Sequence, residues 1–103
     1  MYDTLESQLC IDTTREFAAG ESNGGMMTFQ LGVSMSSRLA AIAPQFGSFH
    51  YQFAMAPKDS VPVLSFHGIK DTTVPANNSK GYDYPVGEGY FYTNVHDIFY
   101  GSS

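Results

Sequence analysis

The chain has 103 residues, with ten acidic side chains against five basic ones, one cysteine and fifteen aromatics. A lone cysteine forms neither an intrachain disulfide nor a cysteine-cluster metal site, and a net charge of -5 argues against a nucleic-acid partner. No apolar run approaches the ~18 residues of a membrane span, disorder is disfavoured by the apolar content, and the mass suffices for one modest core.

The amino terminus, M-Y-D-T-L-E-S-Q-L-C, lacks the basic region and apolar core of a signal peptide. Cys10 has no basic neighbour to lower its pKa, which favours a buried side chain or one awaiting a partner over a nucleophile. Residues 15–21 carry the short apolar run Phe17-Ala18-Ala19 and read as a buried strand. The next segment, residues 24–37, repeats Met27, Leu31 and Met35 at intervals of four, with Met26, Phe29 and Val33 alongside. That spacing predicts a helix buried over a wide face, and Gly32 inside it predicts close packing against a neighbour. The methionines, Met55 included, read as adaptable core filling.

Residues 39–43 form a second short strand, ended by Pro44 and a polar turn. Residues 61–66, Val-Pro-Val-Leu-Ser-Phe, give the best strand signal, with Pro62 expected at its start, where a missing amide costs little. Strand, helix, strand, loop, strand is the order of an α/β unit with parallel strands. Neither a repeat nor a linker divides the chain, so residues 1–103 are read as a single domain. The tail, residues 82–103, holds seven of the fifteen aromatics and no lysine or arginine, and reads as a tyrosine-rich loop with a strand near Gly89 to Asn94.

Two motifs carry chemistry. Gly20-Glu21-Ser22-Asn23-Gly24 fits G-x-S-x-G between a predicted strand and a predicted helix. A serine there is held in a tight, strained turn, with its hydroxyl projecting from the carboxyl edge of the sheet. The amide of Asn23 and the helix amino end would stabilise an anionic tetrahedral intermediate. The plainer alternative is a glycine-rich turn with Ser22 or Asn23 capping the helix. Downstream, Phe66-His67-Gly68-Ile69-Lys70-Asp71-Thr72-Thr73-Val74-Pro75 follows the third strand. With parallel strands, Asp71 shares an edge with Ser22 and could orient a histidine. Its plainer alternative is a turn carboxylate capping Thr72 or Thr73.

Together Asp12-Thr13-Thr14-Arg15, Ala19 to Met27, Arg38 to Pro44 and Val61 to Pro75 resemble the polyhydroxybutyrate depolymerase and feruloyl esterase group of the α/β-hydrolases. The resemblance implies a partial α/β-hydrolase fold, a remnant of a three-layer αβα domain, and a serine ester hydrolase working through an acyl-enzyme. Ser22 would be the nucleophile, Asp71 the triad acid and Asn23 an oxyanion donor. His67 would be structural or line the site, and Gly24, Gly25 and Gly68 would be packing and turn glycines. Substrates would be small esters, polyesters or feruloylated plant polysaccharides, without a cofactor, and a full-length protein following the family would be secreted. The family's earlier strands, second oxyanion loop and glycine-histidine segment have no match, so a fragment of a longer protein or a truncated member is the simplest expectation.

His96, beside Asp97, could serve as base if alternation through Phe91, Thr93 and Val95 makes the tail a strand; otherwise it is a surface histidine. His50 follows the second strand in a loop that can border a site. Three scattered histidines give no zinc spacing. The tail tyrosines, Tyr82, Tyr84, Tyr90 and Tyr92, suit either stacking on an aromatic or sugar ligand or covering a core. They leave open a non-catalytic binding or structural module of the same α/β-hydrolase-like ancestry. Asn77 heads a glycosylation acceptor pattern that often arises by chance. Exposed sheet edges would allow a homo-oligomer.

Overall fold

The computed structural model describes residues 1–49, 56–76, 93 and 95–100, with the backbone alone at residues 96 and 100. The features expected at His50, Met55, Asn77 and the tyrosine-rich stretch from Tyr82 to Tyr92 lie outside the described residues. In chain order the elements are α1 (Tyr2–Gln8), β1 (Phe17–Glu21), α2 (Asn23–Ser34), β2 (Ala41–Gln45) and α3 (Val95–Tyr100). They form the expected α/β arrangement, a small parallel sheet flanked by helices and consistent with part of an α/β-hydrolase fold.

β1 and β2 pair in parallel, from Phe17 opposite Ala41 to Glu21 opposite Gln45, with α2 as the crossover. Val61 to Phe66 lies along the other side of β2, but through two separate parallel bridges, Ile42 with Val63 and Gln45 with Phe66, rather than a continuous strand. Pro44 accounts for the gap. The Ile42 amide donates to the Pro62 carbonyl (3.0 Å), the Leu64 amide to the Ile42 carbonyl (3.0 Å), and the Phe46 amide to the Phe66 carbonyl (2.7 Å). Alternation gives the donor position between Ile42 and Phe46 to Pro44, which has no N–H. Pro44 therefore does not end the second strand, as its sequence position suggested. It sits buried inside β2 and interrupts only the outer pairing.

Alternation also separates the two faces of the sheet. Ala18, Ile42 and Pro44 lie on the covered face, where Phe29 of α2 is 1% exposed and packs with Ala18, Leu39, Ile42 and Phe49. On the opposite face Ala19, Ala43 and Leu64 form one row in register, and Glu21, Gln45 and Phe66 the next. Phe17, Leu64 and Phe66 there are each more than half exposed.

The buried stripe of α2 is Gly25, Met26, Thr28, Phe29 and Gly32. Glycine and threonine complete it, because the sheet approaches so closely that a Cβ on Gly32 would lie 2.6 Å from Ile42 Cδ1. Met27, expected in the stripe, falls outside it and is 60% exposed. In the tail, Val95, Ile98 and Phe99 recur at helical rather than strand spacing. Val95 is buried, Ile98 packs on the core, and the Phe99 ring stands 6.2 Å from Phe29. The segment containing His96 is thus helix, so the strand on which its role as base was conditional does not extend to it, and the strand expected near Gly89 to Asn94 falls, apart from Thr93, outside the described residues.

No sequence signal pointed to α1, which buries none of its residues. Arg38 holds it: the guanidinium pairs with Glu6 (2.7 Å), Glu16 (3.1 Å) and Asp3 (3.2 Å) and lies 4.8 Å from the centre of the Tyr2 ring. These partners, Glu6 first, raise the Arg38 pKa further above its ordinary value. Cys10, expected to be either buried or awaiting a partner, is not buried: it is exposed and free.

Candidate functional site

Ser22 occupies the turn between β1 and α2 with φ 52° and ψ -117°, a conformation sparsely populated by non-glycine residues. Its amide donates to the Gln45 carbonyl (3.0 Å) and its carbonyl accepts from the Met26 amide (2.9 Å), so both backbone groups are tied down. It holds the N-cap position, yet its side chain makes no capping hydrogen bond. The hydroxyl is therefore on an exposed residue and not engaged in capping the helix.

Neighbouring glycines make the turn sterically possible. A Cβ on Gly20 would lie 2.4 Å from the Gly24 carbonyl oxygen and 2.9 Å from Thr28 Oγ1, and one on Gly25 would lie 2.6 Å from the Gln45 carbonyl oxygen. Gly25 is thus the packing glycine that the resemblance implied. Gly24 and Gly68 differ: nothing lies within 4 Å of a Cβ on Gly24, and Gly68 would make only ordinary contacts, the nearest at 3.8 Å. At Gly24 it is the carbonyl, not the space for a side chain, that matters to its neighbour.

Asp71 lies in the loop beyond Phe66. Its Oδ1 accepts from the amides of Thr73 (2.8 Å) and Val74 (2.9 Å), and its own amide donates to the Gly68 carbonyl (3.1 Å). The turn-capping role anticipated for this carboxylate is present, and it uses one oxygen. The other, Oδ2, stands 3.9 Å from His67 Nε2. That ring nitrogen is 2.6 Å from the Val74 carbonyl oxygen. Val74 is buried and clusters with Met26, in the first turn of α2.

The strand register relates the two loops. Continuing Glu21 opposite Gln45 and Gln45 opposite Phe66 by one residue puts Ser22, Phe46 and His67 in one row at the carboxyl edge. Adjacent positions in such a row are about 4.8 Å apart. Ser22 and the loop that carries Asp71 therefore leave the same edge, two strands apart. Phe46 was not anticipated: its φ of 34° makes it, with Ser22, one of two non-glycine residues at positive φ among those described. Its only sequence cue was its place between Gln45 and Gly47 at a strand end.

Asn23 is the first residue of α2 and is exposed, so its amide has no carbonyl acceptor one turn earlier. His96 belongs to α3, and its side chain lies outside the described atoms. Among the described residues, no group of three or more His, Cys, Asp or Glu side chains could hold a metal ion. No described helix is long and apolar enough to cross a membrane.

Comparison with known proteins places the chain beside fungal esterases. It is 31% identical over 77 residues to a probable feruloyl esterase C of Aspergillus clavatus, covering 75% of this chain and 28% of that protein. It is 32% identical over 73 residues to the corresponding Aspergillus terreus protein, covering 71% and 27%. With a bifunctional acetylxylan esterase/xylanase of Neocallimastix patriciarum the identity is 29% over 80 residues, 78% of this chain and 12% of the other. The chain spans about a quarter of the length of the Aspergillus relatives it matches. No family profile matches it, and no solved structure does. These similarities relate the chain, with its α/β fold, to esterases.

Proposed function

We propose that the chain carries the nucleophile and acid segments of a serine carboxylic-ester hydrolase. Ser22 attacks the ester carbonyl as a histidine accepts its hydroxyl proton, the histidine returns that proton to the departing alcohol, water then hydrolyses the acyl-enzyme, and Asp71 orients the histidine through Oδ2. The Asn23 amide stabilises the oxyanion at the amino end of α2. His96 is the candidate base within this chain. One observation carries the reading: Ser22 is held at positive φ between strand and helix, with its hydroxyl withheld from capping, at the edge from which the Asp71 loop also leaves. Non-glycine residues held in strained backbone conformations cluster at functional sites.

The relatives' names extend the reading to feruloyl and acetyl esters of plant polysaccharides, and the resemblance of the sequence motifs adds polyesters as the alternative polymer and an extracellular setting for the protein. The test is covalent. Treatment with a fluorophosphonate, followed by peptide mapping, should label Ser22 ahead of the other serines. Hydrolysis of an activated short-chain ester should fall to background in Ser22→Ala and drop in Asp71→Asn and His96→Ala. Equal rates for wild type and Ser22→Ala, or label spread evenly over the serines, overturn the proposal.

A further inference from the structure

A histidine four residues before an aspartate, with the two side chains adjacent, resembles two members of a catalytic triad. The hydrogen bonds indicate a different division of labour. His67 Nε2 is 2.6 Å from the Val74 carbonyl oxygen and 3.9 Å from Asp71 Oδ2. A carbonyl only accepts, so Nε2 carries the proton, and the carboxylate lies beyond hydrogen-bond length. Nδ1 is buried without a partner among the described residues, and the side chain is 8% exposed. Neither nitrogen is placed to take a proton from Ser22, since one is committed to Val74 and the other is enclosed.

We propose that His67 is a positioning residue, a clamp that closes the acid loop and leaves Asp71 with one oxygen to offer. The inference rests on the esterase reading for its catalytic meaning. By donating to the Val74 carbonyl, His67 draws the far end of the loop back to the strand end. The Val74 and Thr73 amides are thereby aimed at Asp71 Oδ1 and saturate it. Oδ2 is left, on a side chain that is 21% exposed, to accept the N–H of the triad histidine. The Val74 side chain, 3% exposed, packs on Met26 and so fixes the same loop to the helix that begins at Ser22. A single imidazole thus sets the acid relative to the nucleophile without contacting substrate.

Amide hydrogen exchange and nitrogen-15 spectra of the full chain test this without relying on turnover. The wild-type spectrum should show a proton on His67 Nε2. His67→Leu, which keeps bulk but removes the donor, should speed exchange at the Thr73 and Val74 amides by about tenfold or more. The Ile42 and Ser22 amides, held by sheet partners, should stay within about threefold. His67→Gln, whose side-chain amide can donate to Val74, should restore protection at both sites. An Nδ1–H tautomer, unchanged exchange at Thr73 and Val74, or equal acceleration at all four amides overturns the clamp. Fluorophosphonate labelling of wild-type Ser22 reads the esterase proposal separately. Labelling with unresponsive loop amides refutes the clamp alone, and responsive amides without labelling refute the esterase reading alone.

Discussion

Helices α2 and α1 are attached to the same small sheet by different physics. α2 lies so close to the strands that glycines and a threonine share its buried stripe, and Phe29 fills the space between helix and sheet. α1 buries nothing, and its seven residues are too few to be stable alone. It is kept in place by the ion pairs and ring contact of one guanidinium. The candidate site stands on the first kind of attachment. Ser22, Asn23 and the Val74 anchor on Met26 all depend on how α2 meets the sheet, whereas α1 leaves them untouched.

Truncation at the centre of the α2 interface should have the largest effect. Phe29→Ala removes a ring that packs on Phe49 at 5.0 Å and on Phe99 at 6.2 Å. It should destabilise the chain by about 4 kcal/mol in urea melts. Leu5→Ala on α1, where the side chain is 40% exposed, should change stability by no more than about 0.5 kcal/mol. Similar losses from both substitutions would erase the distinction between the helices.

Backbone approach comes next. Gly20→Ala would put a methyl group 2.4 Å from the Gly24 carbonyl oxygen, at a cost of about 2–3 kcal/mol. Gly24→Ala meets nothing within 4 Å, and its effect should stay within about 0.5 kcal/mol, measured in the same melts. The pair sharpens the account of the turn, since both are glycines of the G-x-S-x-G motif and only one is sterically required. Equal penalties would mean that α2 does not approach β1 as closely as described.

What was legible in the sequence follows the same line. β1, α2 and β2 were readable because apolar periodicity and the Ser22 motif report local geometry that the fold keeps. Ser22 and Asp71 could be placed at one edge because parallel strands leave little choice. Met27 was misassigned because the wide stripe counted side-chain hydrophobicity, while the close helix–sheet contact admits Gly25, Thr28 and Gly32 instead. Pro44 was read as a terminator, although only one side of β2 needs its amide. α3 was hidden because the alternation of Phe91, Thr93 and Val95 drew its first residue into a strand pattern, whereas Val95, Ile98 and Phe99 follow helical spacing. α1 had no apolar stripe to find. Its partner, Arg38, lies 35 residues from Asp3 in sequence, and such an ion pair leaves no periodic trace.

The smallest effect should come from undoing that ion-pair attachment, which acid weakens. A hydrogen bond with the Glu16 side chain, and then the Arg38 guanidinium, hold the Glu6 pKa below its ordinary 4.5. A carboxyl with a lowered folded-state pKa contributes stability above its unfolded value and loses it as pH falls through the folded one. Between neutral pH and about 5, α1 should therefore stay docked. At lower pH Glu6 takes up a proton and its ion pair with Arg38 is lost. The Leu9 amide, which donates to the Leu5 carbonyl at 2.8 Å, should lose exchange protection first, while the Ser22 and Ile42 amides keep theirs. Arg38→Gln should produce the same local loss at neutral pH, with the melting midpoint moved by less than about 4 °C. Simultaneous loss of protection at Leu9 and Ser22 would show instead that α1 and the elbow form one cooperative unit, and that Arg38 also supports the candidate site.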